Sequence, residues 1–169
     1  MTATSETTAT PDQAVIYEKI AIIGVGLIGA STALAARRGK LVGHVTAYDA
    51  DADAVETSRK LGFADEVVGD AKEAVVDADL VIMAVPVGAM GALAELIVPA
   101  MKPGAVLTDT GSTKRSVLRD VDPVISDDIH WLPSHPLAGT EHSGPTAGHA
   151  HLFDGRYWIV VPRDVPDDV

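Results

Sequence analysis

The chain reads as an α/β protein built on a doubly wound, mostly parallel sheet with helices on both faces. Three observations predict this. Short apolar runs alternate with Ala- and Leu-rich helical stretches from Lys19 to Val161. The apolar runs are nearly continuous rather than alternating with polar residues, as strands covered on both faces require. The intervals between them are long enough for helical crossovers, the connection that parallel strands need. With 169 residues the chain has room for about one domain; a closed eight-stranded barrel typically takes ~250.

Lys19–Ile23 is the first predicted strand, ending at glycine, and Leu27–Arg38 the first helix, closing on two arginines and Gly39, cations at the negative helix end followed by a stop. His44–Tyr48 is a second strand, and Asp51–Leu61 a second helix stopped by Gly62. Glu66–Val68 is a weak strand and Ala71–Val76 a short helix. Leu80–Val85 is the strongest apolar strand, and Ala89–Met101 a helix that stops before Pro103-Gly104. Ala105–Thr108 and Lys114–Val121 form the next strand–helix pair, broken by Pro123. His130–Leu132 and Tyr157–Val161 read as the final strands, with a Gly-, Pro- and His-rich loop between them. The organisation expected is a tail over 1–16, one α/β domain over 17–163, and over 164–169 the start of a further helical segment.

Composition removes several function classes. Thirteen Lys and Arg against twenty-four Asp and Glu leave a formal charge of −11, which repels phosphate backbones and anionic lipid, so neither nucleic acid nor membrane is an expected partner. There is no cysteine, hence no disulfide, thiolate zinc site or cysteine nucleophile, which suits a reducing cytoplasm. Met1–Val15 has no basic start and no apolar block, so it is not a signal peptide. The uncharged stretch Leu80–Ala94 is fifteen residues long, short of the ~20 that span a bilayer, and Pro86, Gly88 and Gly91 interrupt it.

The chemistry lies at the carboxyl ends of the strands, where open α/β sheets bind ligands. The first strand runs into Gly24-Val25-Gly26-Leu27-Ile28-Gly29 and then a helix, the context that gives a G-x-G-x-x-G string meaning. Gly24 permits the tight turn, Gly26 lets backbone approach a diphosphate, and Gly29 lets the helix pack against the strand. Asp49 ends the second strand twenty residues past Gly29, where a carboxylate accepts from ribose hydroxyls and opposes a 2′-phosphate. These residues, with Leu27, Ile28, Val85 and Pro86, predict a site for NAD in preference to NADP. Asp49 could instead cap the next helix, a role Asp51 fills equally well. Glycine loops of methyltransferases commonly read G-x-G-x-G, which this loop does not.

Candidate substrate-side residues come later. Ser112 or Thr113, after the Asp109-Thr110-Gly111 strand end, caps the following helix or meets substrate beside the nicotinamide, or both. His135, stiffened by Pro136 within a glycine-rich loop, is a candidate base near neutral pH. Lys114 and Arg115 are the nearest cations for an anionic substrate, or else solvated helix charges. His135, His142, His149 and His151 raise zinc as a rival, but without regular spacing or a helical scaffold, and no metal is expected.

Taken together, Gly24–Gly29, Asp49, Ala84-Val85-Pro86, Asp109-Thr110-Gly111-Ser112-Thr113-Lys114, His135-Pro136-Leu137-Ala138-Gly139-Thr140-Glu141 and Leu152-Phe153-Asp154-Gly155-Arg156 resemble the prephenate/arogenate (cyclohexadienyl) dehydrogenase family of tyrosine biosynthesis, over Lys19 to Pro162. The late histidine string is the specific part; other Rossmann dehydrogenases, such as the 3-hydroxyacid type, share only the glycine loop. The resemblance implies NAD-dependent oxidative decarboxylation of prephenate or arogenate, with His135 as base, Ser112 orienting His135 or the substrate, and Thr113, Lys114, Thr140 and Glu141 at the pocket. On the residues alone, Glu141 reads first as a solvated rim charge. It also implies a cytoplasmic enzyme with a helical carboxy-terminal domain that dimerises and completes the site. Without that domain the expected behaviour is NAD binding with little or no turnover. An NAD-binding domain without chemistry is the alternative, and Ser112 and His135 argue against it.

Overall fold

The computed structural model describes residues 15–162. Six parallel strands form the main sheet: β1 (Tyr17–Ile23), β2 (Val42–Tyr48), β3 (Glu66–Val67), β4 (Leu80–Met83), β5 (Val106–Asp109) and β6 (His130–Leu132), in the order β3-β2-β1-β4-β5-β6. This is the Rossmann arrangement, with the switch point between β1 and β4. The crossovers are α1 (Leu27–Arg38), α2 (Ala52–Leu61), α3 (Ala71–Val75), α4 (Met90–Ile97) and α5 (Lys114–Val121).

Burial on both sheet faces explains the continuous apolar strands. Ile20 and Ile22 of β1 pack with Ala30, Ala33, Val45 and Phe63 on one face. Ala21 and Ile23 pack on the other with Ala74, Met90, Ile97 and Val117. Ile22 and Ile23 have no exposed surface, so each side chain of the pair faces a different helical layer.

Several boundaries differ from the sequence reading for local reasons. β4 ends at Met83, two residues short of Val85, because the chain turns at Pro86. The helix read over Ala89–Met101 is α4 alone, flanked by 3₁₀ turns at Val87–Ala89 and Val98–Ala100, the second containing Pro99. Gly62 ends α2 in the left-handed region (φ 66°), whereas α1 ends with Gly39 at φ −75° and the positive φ falls on Lys40. The segment read as Tyr157–Val161 does not join the main sheet. It is β8 (Trp158–Val160), paired antiparallel in a separate two-stranded sheet with β7 (Ser134–Pro136), a strand hidden in the loop. Pro136 has no N–H to donate, so β7 suits only such a short edge pairing. Of the expected tail, Ile16 already donates to Leu41 O at 2.9 Å; residues 1–14 and the segment 164–169 lie outside the described residues. Among the described residues no helix is long and apolar enough to cross a membrane.

Candidate functional site: a crevice across the switch point

At the carboxyl end of β1 the backbone leaves little choice of residue. Gly24 sits at φ 100°, and a Cβ there would lie 2.5 Å from Ala84 O. At Gly29 a Cβ would lie 1.9 Å from Gly24 O, so only glycine lets α1 close onto the loop. Gly26 is different: its φ of −68° suits any residue, and a Cβ would meet nothing within 4 Å. The space over Gly26 is open.

That open space is the saddle of a two-part crevice. One part, about 350 Å³, is floored by Gly24 and Gly26 and walled by Tyr48, Asp49, Leu93 and Leu96. The other, about 380 Å³, runs from Leu27 and Ile28 to Thr110, Gly111 and Ser112, and is closed outside by His142, Ser143 and Gly144. Gly26, Ala84, Val85 and Pro86 line both. Of the residues expected to hold a cofactor, seven line this crevice, while Gly29 packs beneath it.

The electrostatics of the saddle are set by α1. Its N-cap is Gly26, with no side-chain cap and no acidic residue in the first turn. By contrast, Asp51 and Asp70 cap α2 and α3 through the N–H groups of Asp53 and Lys72. A twelve-residue helix with an uncapped amino end presents N–H donors and a positive dipole end to the saddle, a ready site for an anion. Asp51, not Asp49, caps α2. Asp49 accepts from Val25 N (2.8 Å) through Oδ2 and from Asp51 N (2.9 Å) through Oδ1, which aims its carboxylate into the first part of the crevice. A carboxylate has about four acceptor directions, so two remain for a ligand.

On the far side, Ser112 is exposed at the lip, and Thr113 begins α5 without a side-chain cap bond. His135 is partly buried behind Thr110, with Nδ1 3.0 Å from Thr110 O. A carbonyl only accepts, so Nδ1 carries the proton and Nε2 of the neutral ring is an acceptor. Lys114 neither points to solvent nor lines the crevice: its ammonium bonds the fully buried Asp109 and, at 2.5 Å, Ser134 O. Burial pushes that ammonium below its ordinary pKa, against the opposing pull of Asp109. Thr140 Oγ1 accepts from His142 N at 3.2 Å, and Glu141 is exposed with Oε1 3.6 Å from His142 Nε2. The histidines are dispersed: His149 N donates to Ser31 Oγ, and the His151 ring meets Arg38 and Asp154.

The sequence reading gave no role to Asp109 and none at the crevice to His142–Gly144, Leu93 or Leu96. A signal for Asp109 was present: an aspartate ending an apolar strand needs a counter-charge, and Lys114 follows five residues later.

Residues 32–168 match the family model for the nucleotide-binding domain of prephenate dehydrogenase. The chain belongs to the prephenate dehydrogenase family. A cyclohexadienyl dehydrogenase of Zymomonas mobilis is 42% identical to this family member over 147 residues, which are 87% of this chain and 50% of that protein. Among solved structures, the Aquifex aeolicus prephenate dehydrogenase in complex with hydroxyphenyl propionate and NAD+ superposes with a TM-score of 0.78 at 27% identity, covering 87% of this chain and 51% of that one. The Synechocystis arogenate dehydrogenase gives 0.77 at 25% identity, covering 86% and 50%. This prephenate dehydrogenase family domain thus spans about half the length of the relatives it matches.

Proposed function

We propose that the crevice binds NAD and that the chain is the cofactor-binding half of an enzyme that oxidatively decarboxylates prephenate or arogenate. The observation that carries this is the open backbone of Gly26 at an uncapped helix, with the Asp49 carboxylate beside it. The residues fit the cofactor: Gly26, Leu27 and Ile28 would hold the diphosphate, Asp49 the adenosine ribose, and Tyr48, Leu93 and Leu96 the adenine side. The like charge of Asp49 disfavours a 2′-phosphate.

Bound NAD would take the hydride from the ring carbon that bears the hydroxyl, while the ring carboxylate leaves as carbon dioxide and the ring becomes aromatic. His135 takes the hydroxyl proton at Nε2 as the hydride leaves and returns it to the ring oxygen as carbon dioxide departs, because Thr110 O keeps the other proton on Nδ1. Ser112, at the lip between cofactor and substrate, orients the hydroxyl. Thr140 and Glu141 stand on the same loop as the His142–Gly144 wall and border the substrate's entry. The family resemblance supports reading the whole enzyme as a cytoplasmic homodimer. A binding domain without chemistry would have no use for an imidazole held in one tautomer.

The test is His135→Asn. NAD affinity stays within about twofold. NADH formation from prephenate, measured with the chain joined to the remaining half of the Zymomonas mobilis enzyme, falls by roughly 10²-fold or more, as loss of a general base should cause. Near-normal turnover in the variant rejects the assignment.

A further inference from the structure

Beside His135 lies a buried ion pair that touches neither part of the crevice. Asp109 ends β5 with no exposed surface. Its Oδ2 accepts from Gly111 N (2.7 Å) and from the Lys114 ammonium, and its Oδ1 accepts from Ser134 N (3.1 Å). Lys114 turns a second donor to Ser134 O at 2.5 Å, and Ser134 Oγ donates to Asp109 O at 2.7 Å. Ser134 is therefore gripped at its N–H, its carbonyl and its hydroxyl. The next residue is His135, whose ring is bonded to the carbonyl of Thr110, the residue after Asp109. Thr110 N is in turn bonded to Met83 O at 3.1 Å, at the end of β4.

The same carboxylate reaches both sides of the site. Gly111 and Lys114 flank Ser112 and Thr113, while Ser134 precedes His135. Stability alone does not account for such an arrangement, since desolvating two charges commonly costs as much as their attraction returns and a well-packed apolar pair does equally well. What an apolar pair lacks is direction. Three acceptor bonds on one rigid group set the end of β5, the start of α5 and β7 in a single register.

We propose that Asp109 and Lys114 are a positioning pair, whose bonds to Gly111 and Ser134 hold Ser112 and His135 in register and keep the His135 ring on Thr110 O in its Nδ1–H tautomer. This rests on the reading of His135 as the base. Neither member of the pair contacts substrate.

The test is isotope-edited NMR of the histidine side chains in the 169-residue chain, for the parent and for Asp109→Asn and Lys114→Gln, with NAD titration of each. Asn keeps one acceptor but loses the charge and the Lys114 bond. In the parent, His135 is in the Nδ1–H form. In either folded variant the ratio of Nδ1–H to Nε2–H ring falls about fivefold or more, the weight of one hydrogen bond, while NAD affinity holds. A His135 tautomer ratio unchanged in a folded variant overturns the proposal. So does failure of both variants to fold, which makes the pair a stability element only. Failure of the parent chain to bind NAD counts against the proposed function instead, and is read separately from the tautomer.

Discussion

Gly26→Ala separates the stability of this domain from its cofactor site. Gly26 is the N-cap of α1 at φ −68° and ψ −167°, so alanine takes the backbone without strain, and its Cβ meets no atom within 4 Å. Alanine is a poorer N-cap than glycine by roughly 0.5–1 kcal/mol, and the stiffer unfolded chain returns about 0.4–1 kcal/mol. The two nearly cancel, so the melting temperature moves by less than about 3 °C. The new methyl, however, stands where the diphosphate would approach the backbone. Overpacking of that kind costs about 1–3 kcal/mol, roughly 5- to 150-fold in Kd. Calorimetric titration with NAD, beside a thermal melt of the same sample, reads both quantities. Gly29→Ala is the contrast: its Cβ would lie 1.9 Å from Gly24 O, and separating helix from loop costs about 3 kcal/mol or more, a fall of roughly 6 °C or more. A well-folded Gly26→Ala chain that binds NAD as tightly as the parent refutes the reasoning, since no nucleotide can then lie against that backbone.

Asp49→Ala raises the Kd for NAD about tenfold or more, since hydrogen bonds to a charged acceptor are worth about 1.5–3 kcal/mol each, and it narrows the preference over NADP; parallel titrations with the two nucleotides measure both. Asp79 predicts an acid transition. Burial raises its carboxyl pKa, but the Lys102 ammonium at 2.5 Å and Lys19 N at 2.8 Å outweigh that and hold it below the usual range. A depressed carboxyl stabilises fully above its unfolded value of about 3.9 and loses that contribution as pH falls through the folded value. The melting-temperature gap between parent and Asp79→Asn is therefore constant from neutral pH down to about 5, and closes below about 4.

What the sequence revealed about this domain follows from where local constraint was strong. The glycine loop was legible because its backbone excludes other residues, at Gly24 through a positive φ and at Gly29 through contact with the Gly24 carbonyl. The strands of the main sheet were legible because burial on both faces removes polar residues from them. β7 was not, since three residues containing a proline carry no periodicity and their partner lies beyond a long loop. Lys114 looked like a surface or substrate-facing cation because its acceptors, Asp109 and the carbonyl of Ser134, meet only in the folded chain. His142 was weighed only as a metal ligand, since whether Thr140 and Glu141 or the three residues after them face the crevice depends on how the loop turns. The helix stop at Gly62 followed glycine's freedom at positive φ, while at the end of α1 Lys40 took the left-handed conformation in place of Gly39.

A crystal structure of the chain grown with NAD tests the central claim most directly. Density for the diphosphate is expected over the backbone N–H groups of Gly26, Leu27 and Ile28, with the adenosine ribose hydroxyls on the Asp49 carboxylate. A dinucleotide bound elsewhere, or a saddle left empty at saturating NAD, contradicts it.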